Sequence, residues 1–312
     1  MKPIHAMRLP WGGRHVPHGV LDLLRDCNIA CDGCYNARSA HIRSLEEIGR
    51  DLDQLSAVRH LHTVTLSGGE PTLHPRILDV VADAAGRGLK VALLTNGVTL
   101  SVDLLRELKR AGVSIVFLHI QRGQRREDVP AHAGYEEFRR LREEKAKLVR
   151  EQGMVAGLSV IAYRSRLPEM REMVCEVLDS PFLDFLLVTE FTDFTRFRGL
   201  TGDLQRGLTV GPEFTDRAIS AHGEEVTNED IACMMKELGL EPYAYLGASD
   251  DPDHARWLSY LVGVVRSSRN GGEWHGIRPG ASDRLLVRLV RLVTGRYPFF
   301  HKSGSSPFRA QL

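Results

Sequence analysis

Residues 62–97 read HTVTLSGGEPTLHPRILDVVADAAGRGLKVALLTNG, and this stretch decides the fold class. The β-branched run His62–Leu66 predicts a strand that ends in a glycine turn. A helix is predicted over Arg76–Arg87, with Gly88 as its C-terminal cap. A buried strand follows over Lys90–Leu94. Strand, helix and strand in this order predict two parallel strands joined by a right-handed crossover.

The same alternation extends to both sides of this stretch. Further strands are predicted over Val20–Leu24, Val113–Ile120, Met154–Tyr163 and Phe182–Val188. Six strands alternating with helices predict an α/β fold, a partial (β/α)6 TIM-like barrel with parallel strands. In such barrels the carboxyl ends of the strands build the active site. The predicted core barrel spans residues 18–215 and follows an N-terminal extension of residues 1–17.

Residues 216–312 are predicted to form a mainly helical C-terminal extension. The helices are predicted over Asn228–Leu238, Asp251–Ser267 and Ser282–Thr294, and Tyr243–Leu246 is a candidate strand. The last helix is amphipathic, with arginines on one face and leucine and valine opposite. Packing of its apolar face on a core is the favoured interpretation, and contact with an anionic membrane surface is the alternative.

Composition and charge narrow the functional classes. The formal net charge is +1, so no strong field attracts nucleic acid and no nucleic-acid partner is expected. No apolar run is long enough to predict a transmembrane helix. Three of the five cysteines lie close together, which is typical of a metal site rather than a disulfide framework. We therefore expect a reducing, cytoplasmic location.

The cysteine loop reads Cys27-Asn-Ile-Ala-Cys31-Asp-Gly-Cys34 and follows the first predicted strand. Three thiolates on one short loop are soft ligands that suit an iron–sulfur cluster or zinc. Three ligands also leave one corner of a cubane cluster open, as a catalytic cluster requires. A structural zinc site with His41 or another residue as fourth ligand is the alternative, although zinc sites usually present two ligand pairs.

Polar residues follow the next two predicted strands. Gly68, Gly69 and Glu70 follow the second strand, where glycines let the backbone come close to a ligand. Asn96 follows the third strand and offers both a donor and an acceptor group. A plain turn is the alternative interpretation at both places, because Gly-Gly and Asn-Gly form turns readily.

The C-x3-C-x2-C spacing, with Gly-Gly-Glu and Asn-Gly after the following strands, resembles the radical S-adenosylmethionine (SAM) superfamily. The resemblance covers about residues 18–195. It implies that Cys27, Cys31 and Cys34 are the catalytic residues and metal ligands of a [4Fe–4S] cluster whose open iron binds SAM. It also implies that the reduced cluster cleaves SAM to a 5′-deoxyadenosyl radical, which abstracts hydrogen from the substrate.

The resemblance further implies which residues bind SAM. Residues 68–70 meet the amine of its methionine, and Asn96 meets the ribose hydroxyls. Gln121, near the end of the fourth strand, reaches the cosubstrate or substrate. Arg164, just after the fifth strand, pairs with the methionine carboxylate. For Arg164 a solvated loop charge is the alternative interpretation.

One position departs from the family pattern. Most members carry an aromatic residue just before the third cysteine, where it packs near the adenine, and here that residue is Gly33. Tyr35 follows the cysteine instead and is our aromatic candidate for a cofactor contact. The resulting C-x-G-C-Y-N form resembles the activases of glycyl-radical enzymes.

The main functional hypothesis is an enzyme that acts on a small organic biosynthetic substrate, an apolar one being an option. Its electron donor would be a protein such as flavodoxin or ferredoxin. An activase that installs a glycyl radical on a partner protein is one alternative, and a non-catalytic zinc-binding interaction module is another. Cys175 and Cys233 are interpreted as core residues. For Cys233 a role as hydrogen donor or methyl acceptor is the minority interpretation.

Overall fold

The computed structural model describes residues 5–9, 11, 16–32, 34, 36, 39–191, 223–247, 255–266 and 272–294. Gly33 and Tyr35 lie outside the described residues. The chain divides into two compact units, one formed by His18–Glu225 and the other by Met1–Pro17 together with Val226–Leu312. The predicted boundary at residue 215 also lies outside the described residues, so the predicted domain limits stay a prediction.

Strands and helices alternate along most of the described chain. The strands are β1 (Met7–Arg8), β2 (His18–Asp22), β3 (Ala30–Cys31), β4 (Thr63–Ser67), β5 (Lys90–Thr95), β6 (Val113–Leu118), β7 (Gln124–Arg125), β8 (Val155–Ala162), β9 (Phe185–Glu190), β10 (Ala244–Gly247), β11 (Ala255–Ser259), β12 (Val262–Arg266) and β13 (Gly272–Gly276). The helices are α1 (Leu45–Arg59), α2 (Ile77–Gly86), α3 (Val102–Ala111), α4 (Tyr135–Glu151), α5 (Leu167–Asp179), α6 (Asn228–Glu237) and α7 (Ala281–Thr294).

The larger unit is built on a six-stranded sheet with the order β2-β4-β5-β6-β8-β9. Every neighbouring pair in this sheet is parallel. One helix of the series α1–α5 lies between each pair of consecutive strands. All five residues of β4 are buried, as expected for a parallel strand covered on both faces. The predicted α/β partial TIM-like barrel with six parallel strands is therefore confirmed.

The sheet brings the candidate residues to one edge. Val64 in β4, Val91 in β5 and Val116 in β6 are 0% exposed, so these three neighbouring strands lie in the core. Parallel strands end at the same edge of a sheet, so the turns after β4, β5 and β6 are neighbours. This edge is where Glu70 and Asn96 lie, as the sequence predicts.

The smaller unit is mixed rather than mainly helical in the part that the structure describes. Its three-stranded sheet has the order β1-β10-β11, and β12 pairs with β13 as an antiparallel hairpin. The helix predicted over Asp251–Ser267 is wrong, because this range contains β11 and β12. Trp257 and the valines after it favour strands, and Gly263 disfavours a helix. The predicted helices at α6 and α7 and the strand at β10 are confirmed.

The helix α7 packs on this unit through one side only. Its Val287 is 7% exposed and contacts a cluster that contains Met7 and Tyr243. Leu289 and Leu292, on the other side, are exposed. Of the helices that the structure describes, none is both long and apolar enough to cross a membrane.

Both cysteines that the sequence places in the core are exposed, so that interpretation is wrong. In α5 the buried stripe consists of Met170, Met173, Val174 and Val177, and Cys175 points away from it. In α6 the buried residues are Ile231 and Met234, and Cys233 falls between them on an open face.

Candidate active site

The cysteine loop begins after β2 and is held by a short two-stranded antiparallel sheet formed by β3 and β7. Cys31 lies in β3 and pairs with Gln124 in β7, and the N–H of Asp32 donates to the carbonyl of Gly123 at 2.9 Å. Cys27, Cys31 and Cys34 are free thiols of intermediate exposure. The three predicted ligands therefore share one loop beside the barrel edge.

The thiols lie close enough to influence one another. Burial raises the pKa of Cys31 well above its usual value, and the neighbouring Cys34 and Cys27 raise it further. Among the described residues, no three His, Cys, Asp or Glu side chains already adopt the geometry of a metal site. Soft thiol donors gathered on one loop still fit an iron–sulfur cluster, because metal binding displaces the thiol protons.

Gly68 and Gly69 bring the turn after β4 against the backbone that leads into the cysteine loop. Gly68 has φ of +130°, and a Cβ there would lie 2.5 Å from the carbonyl oxygen of Leu24. A Cβ on Gly69 would lie 1.9 Å from the carbonyl oxygen of Asp26. The N–H groups of Gly69 and Glu70 donate to these same two carbonyls, each at 2.9 Å. Only glycine allows this approach.

Glu70 is 0% exposed, and its carboxylate joins two strand ends. One oxygen accepts from the hydroxyl of Thr72 at 2.5 Å and from the hydroxyl of Thr95 at 2.7 Å. The other oxygen accepts from the N–H of Asn96 at 2.7 Å. Burial raises the pKa of Glu70, and these donors oppose the rise. The predicted contact of Glu70 with the SAM amine stays a prediction.

Asn96 connects this carboxylate to the cysteine loop. Its side-chain Nδ2 lies 3.8 Å from the Sγ of Cys27 and donates to the Oδ1 of Asn28 at 2.7 Å. Its Oδ1 accepts from the N–H of Val98 at 3.0 Å, which fixes the orientation of the amide. The turns after β4 and β5 and the cysteine loop after β2 therefore meet at Asn96. Its predicted role at the ribose stays a prediction.

Gln121 and Arg164 occupy different surroundings. Gln121 is 6% exposed, and its Oε1 accepts from the N–H of Ile161 at 2.7 Å, between β6 and β8. Arg164 lies after β8, where its Nε donates to the carbonyl of Glu225 at 2.9 Å and its N–H to the carbonyl of Glu224 at 3.0 Å. Their SAM contacts stay predictions, as does that of Tyr35, which lies outside the described residues.

Arg126 belongs to none of the sequence motifs, although its side chain is 0% exposed and lies beside the site. It forms a two-pronged ion pair with Asp128, with N–O distances of 2.6 and 2.8 Å. Burial opposes ionisation of Asp128, but the guanidinium of Arg126 holds its pKa below the usual value. In sequence the run Gln124–Asp128 is indistinguishable from a charged surface loop, so no local signal marks it.

Asp32, between the second and third cysteines, is a second feature that the sequence does not reveal. Its carboxylate lies 3.3 Å from the Nη2 of Arg166, whose Nη1 donates to the carbonyl of Arg122 at 2.6 Å. The same guanidinium lies over the ring of Tyr163, 5.1 Å from its centroid. The segment after β8 therefore fixes the middle of the cysteine loop.

Comparison with known proteins agrees with this geometry. A family model described as the Radical SAM superfamily matches residues 22–163. The chain is 28% identical over 167 residues to a PqqA peptide cyclase of Bradyrhizobium diazoefficiens, which covers 51% of this chain and 43% of that protein. It is 31% identical over 105 residues to the tungsten-containing aldehyde ferredoxin oxidoreductase cofactor-modifying protein of Pyrococcus furiosus, covering 31% of this chain and 28% of that protein.

The chain spans less than half the length of these two relatives. Among solved structures, Streptococcus suis SuiB bound to S-adenosylmethionine aligns with a TM-score of 0.47 and 17% identity, covering 70% of this chain and 55% of SuiB. SuiB bound to the precursor peptide SuiA aligns with a TM-score of 0.45 and 16% identity, covering 69% of this chain and 48% of that one.

The expectation of a small-molecule substrate as partner is wrong. The PqqA peptide cyclases act on a peptide, as their name states, and they match about half of this chain. The error has a simple cause, because the motifs after the strands concern the cosubstrate and carry no information on the size of the substrate.

Proposed function

We propose, from the premise that this chain belongs to the Radical SAM superfamily, that it modifies a peptide by radical chemistry. The chain is an enzyme of that superfamily and uses a [4Fe–4S] cluster and SAM. The peptide substrate is the new element of the proposal. It is supported by the PqqA peptide cyclases, whose similarity covers 51% of this chain.

In this proposal Cys27, Cys31 and Cys34 hold the cluster. Three thiolates leave one iron open for the amine and carboxylate of SAM, which a closed zinc site with four protein ligands would not do. A cluster held there would supply the electron for reductive cleavage of SAM, and the radical so produced would take a hydrogen atom from the peptide. The protein's part is to bind, orient and enclose these groups.

The residues at the barrel edge perform that part. Residues 68–70 present backbone and carboxylate groups to the methionine amine, and Gly68 and Gly69 place this turn against the cysteine loop. Asn96 faces the ribose and the loop together, and Gln121 and Arg164 contact other parts of SAM. Tyr35, next to the third cysteine in the sequence, is the proposed aromatic contact of the cofactor. Burial of Glu70 and Asn96 keeps water away from these contacts.

One observation carries the proposal. Asn96 binds Glu70 through its backbone N–H at 2.7 Å and approaches the sulfur of Cys27 through its side chain at 3.8 Å. Motifs from three separate strand ends thus converge on one residue, as a single cosubstrate site requires.

The chemistry is tested by anaerobic reconstitution with iron and sulfide, reduction with dithionite and incubation with SAM. We expect about four irons per chain and formation of 5′-deoxyadenosine by the wild type. The variant Cys31→Ala should form none, whereas Cys175→Ser, which changes an exposed cysteine in α5, should match the wild type. A reconstituted wild type that forms no 5′-deoxyadenosine, or stoichiometric zinc without iron, would refute the proposal.

The substrate class needs its own experiment. Synthetic peptides matching short reading frames beside the gene are prepared with deuterium on their side chains and added to the reaction. Transfer of deuterium into 5′-deoxyadenosine, with a mass change in the peptide, is the expected result. A stable glycine-centred radical in a co-purified partner protein would instead support the activase alternative, and no transfer from any peptide would contradict a peptide substrate.

A further inference from the structure

The guanidinium of Arg126 lies at the junction of two chains of contacts, one leading to Cys31 and the other to the sulfur of Cys27. Besides its ion pair with Asp128, its Nη1 donates to the Oε1 of Gln124 at 2.8 Å. Its Nη2 donates to the backbone carbonyl of Asn96 at 3.0 Å. A buried arginine whose donors are shared among three partners is held in one orientation and holds those partners in turn.

The first chain leads through Gln124 to Cys31. The Oε1 of Gln124 also accepts from the N–H of Gln121 at 3.3 Å, so two donors fix which end of the amide points toward Arg126. The Nε2 then donates to the carbonyl of His119 at 2.9 Å, which fixes the other end of the amide. Backbone pairing of Gln124 with Cys31 keeps the two residues side by side.

The second chain leads through Asn96 to Cys27. Arg126 donates to the backbone carbonyl of Asn96, and Glu70 accepts from its N–H at 2.7 Å. Both backbone polar groups of Asn96 are therefore fixed. The amide Nδ2 then lies 3.8 Å from the sulfur of Cys27. Two of the three proposed cluster ligands therefore lie beside an amide whose position depends on the same guanidinium.

We propose that Arg126 is a positioning residue that sets the reduction potential of the cluster by holding Gln124 beside Cys31 and Asn96 against the sulfur of Cys27. The inference rests on the proposed function, because it requires the cluster on these cysteines. Reduction adds one electron and one negative charge to the cluster. Amide donors at the sulfurs and a buried positive charge nearby stabilise the reduced form more than the oxidised form.

The experiment is a potentiometric titration of the reconstituted protein with dithionite, followed by the electron paramagnetic resonance signal of the reduced cluster. Arg126→Gln removes the positive charge and the paired N–H donors of the guanidinium. We expect the equilibrium constant for reduction of the cluster to fall about tenfold, which lowers the midpoint potential by about 59 mV for one electron. Asp128→Asn leaves the guanidinium and its contacts with Gln124 and Asn96 but removes the opposing charge, so the potential should rise. Arg125→Gln changes the exposed neighbour in β7 and should leave it unchanged.

The opposite signs of the two shifts separate this role from a purely structural one. Equal potentials in wild type and both variants, or shifts of the same sign, would overturn the inference. If Arg126→Gln does not retain a cluster, Asp128→Asn alone decides, since only a rise in potential then supports the inference. The titration contains no SAM, so a wild type that binds the cluster but forms no 5′-deoxyadenosine contradicts the proposed function and not this inference. A wild type without iron contradicts both.

Discussion

The hydroxyl of Tyr163 donates a hydrogen bond of 2.7 Å to the backbone carbonyl of Asp32, across 131 positions of sequence. Asp32 lies between Cys31 and Cys34, and Tyr163 directly follows β8 on the far side of the sheet. The ring of Tyr163 stacks on Phe191, with centroids 4.9 Å apart, so the donor is held rigidly. The cysteine loop is thus fixed by a side chain directly after β8 that none of the sequence motifs identifies.

Tyr163→Phe should loosen the cysteine loop without disturbing the barrel. The change removes one hydrogen bond and keeps the stacked ring, so the loss should be on the order of 1 kcal/mol. That corresponds to about a fivefold faster loss of iron from the reconstituted protein to a chelator. Tyr135→Phe is the matched control, because its hydroxyl donates to Glu176, 3.0 Å away, outside the site. Equal rates of iron loss in the two variants would contradict the role of Tyr163.

Gly69→Ala should separate the turn after β4 from the cysteine loop. A Cβ at this position would lie 1.9 Å from the carbonyl of Asp26, and backbone on both sides must move to admit it. A displacement of about 1 Å at a catalytic site lowers rates on the order of a hundredfold, which is the expected loss in 5′-deoxyadenosine formation.

Gly86→Ala is the control for this substitution. Gly86 ends α2, and a Cβ there meets nothing within 4 Å. Alanine should raise the free energy of unfolding by about 0.4–1 kcal/mol and leave the rate unchanged. Wild-type activity in Gly69→Ala would show that the close approach of the two segments is not required.

The parts of the site that the sequence predicts are those with a local signal. Gly68–Glu70 and Asn96 directly follow strands that the sequence predicts, and parallel strands bring their carboxyl ends together whatever the details of packing. Thus the location of these residues could be predicted. Their partners could not, because the contact of Glu70 with the N–H of Asn96 depends on the register of β4 and β5.

The roles of Arg126 and Tyr163 could not be predicted, because both depend on contacts with segments that are distant in the sequence. A buried arginine and a solvated one have the same neighbours in sequence, and only the packing of β3 on β7 distinguishes them. The error over Asp251–Ser267 has another origin, since charged and apolar residues in that range fit a helix by pattern while Trp257 and Val262 favour strands by propensity.

Arg142→Met should strongly destabilise the barrel. The side chain of Arg142 is 0% exposed and pairs with that of Glu176, which is 7% exposed, at 2.5 Å between α4 and α5. Its removal leaves a buried carboxylate without its cation, which costs about 3–5 kcal/mol in the free energy of unfolding, measured by urea denaturation of the apoprotein. Arg106→Met removes the exposed partner of Asp103 and should cost less than about 1 kcal/mol.

The double variant with methionine at both positions 142 and 176 extends the same prediction. An apolar pair of similar volume removes the unpaired charge, so much of the lost stability should return. If the double variant is no more stable than Arg142→Met, packing of the arginine stem rather than its charge accounts for the loss.

His18 should make the stability of the larger unit depend on pH. Its ring lies between the hydroxyls of Thr63 and Thr65, at 2.7 and 3.2 Å, and burial lowers its pKa from 6.5 to about 4. Between these values the unfolded chain binds a proton that the folded chain does not. Stability is therefore full above about pH 6.5 and falls as the pH decreases toward 4, by up to about 1.4 kcal/mol per pH unit.

The measurement is urea denaturation of the apoprotein at several pH values between 7.5 and 5, with His18→Gln as the comparison. Glutamine cannot take up the proton, so the difference in unfolding free energy between wild type and variant should shrink as the pH falls. His132→Gln changes an exposed histidine of the larger unit and should leave the wild-type dependence intact. If the unfolding free energies of wild type and His18→Gln change in parallel with pH, His18 binds its proton equally well in the folded and unfolded chains. That result would contradict the effect of burial on the pKa of His18.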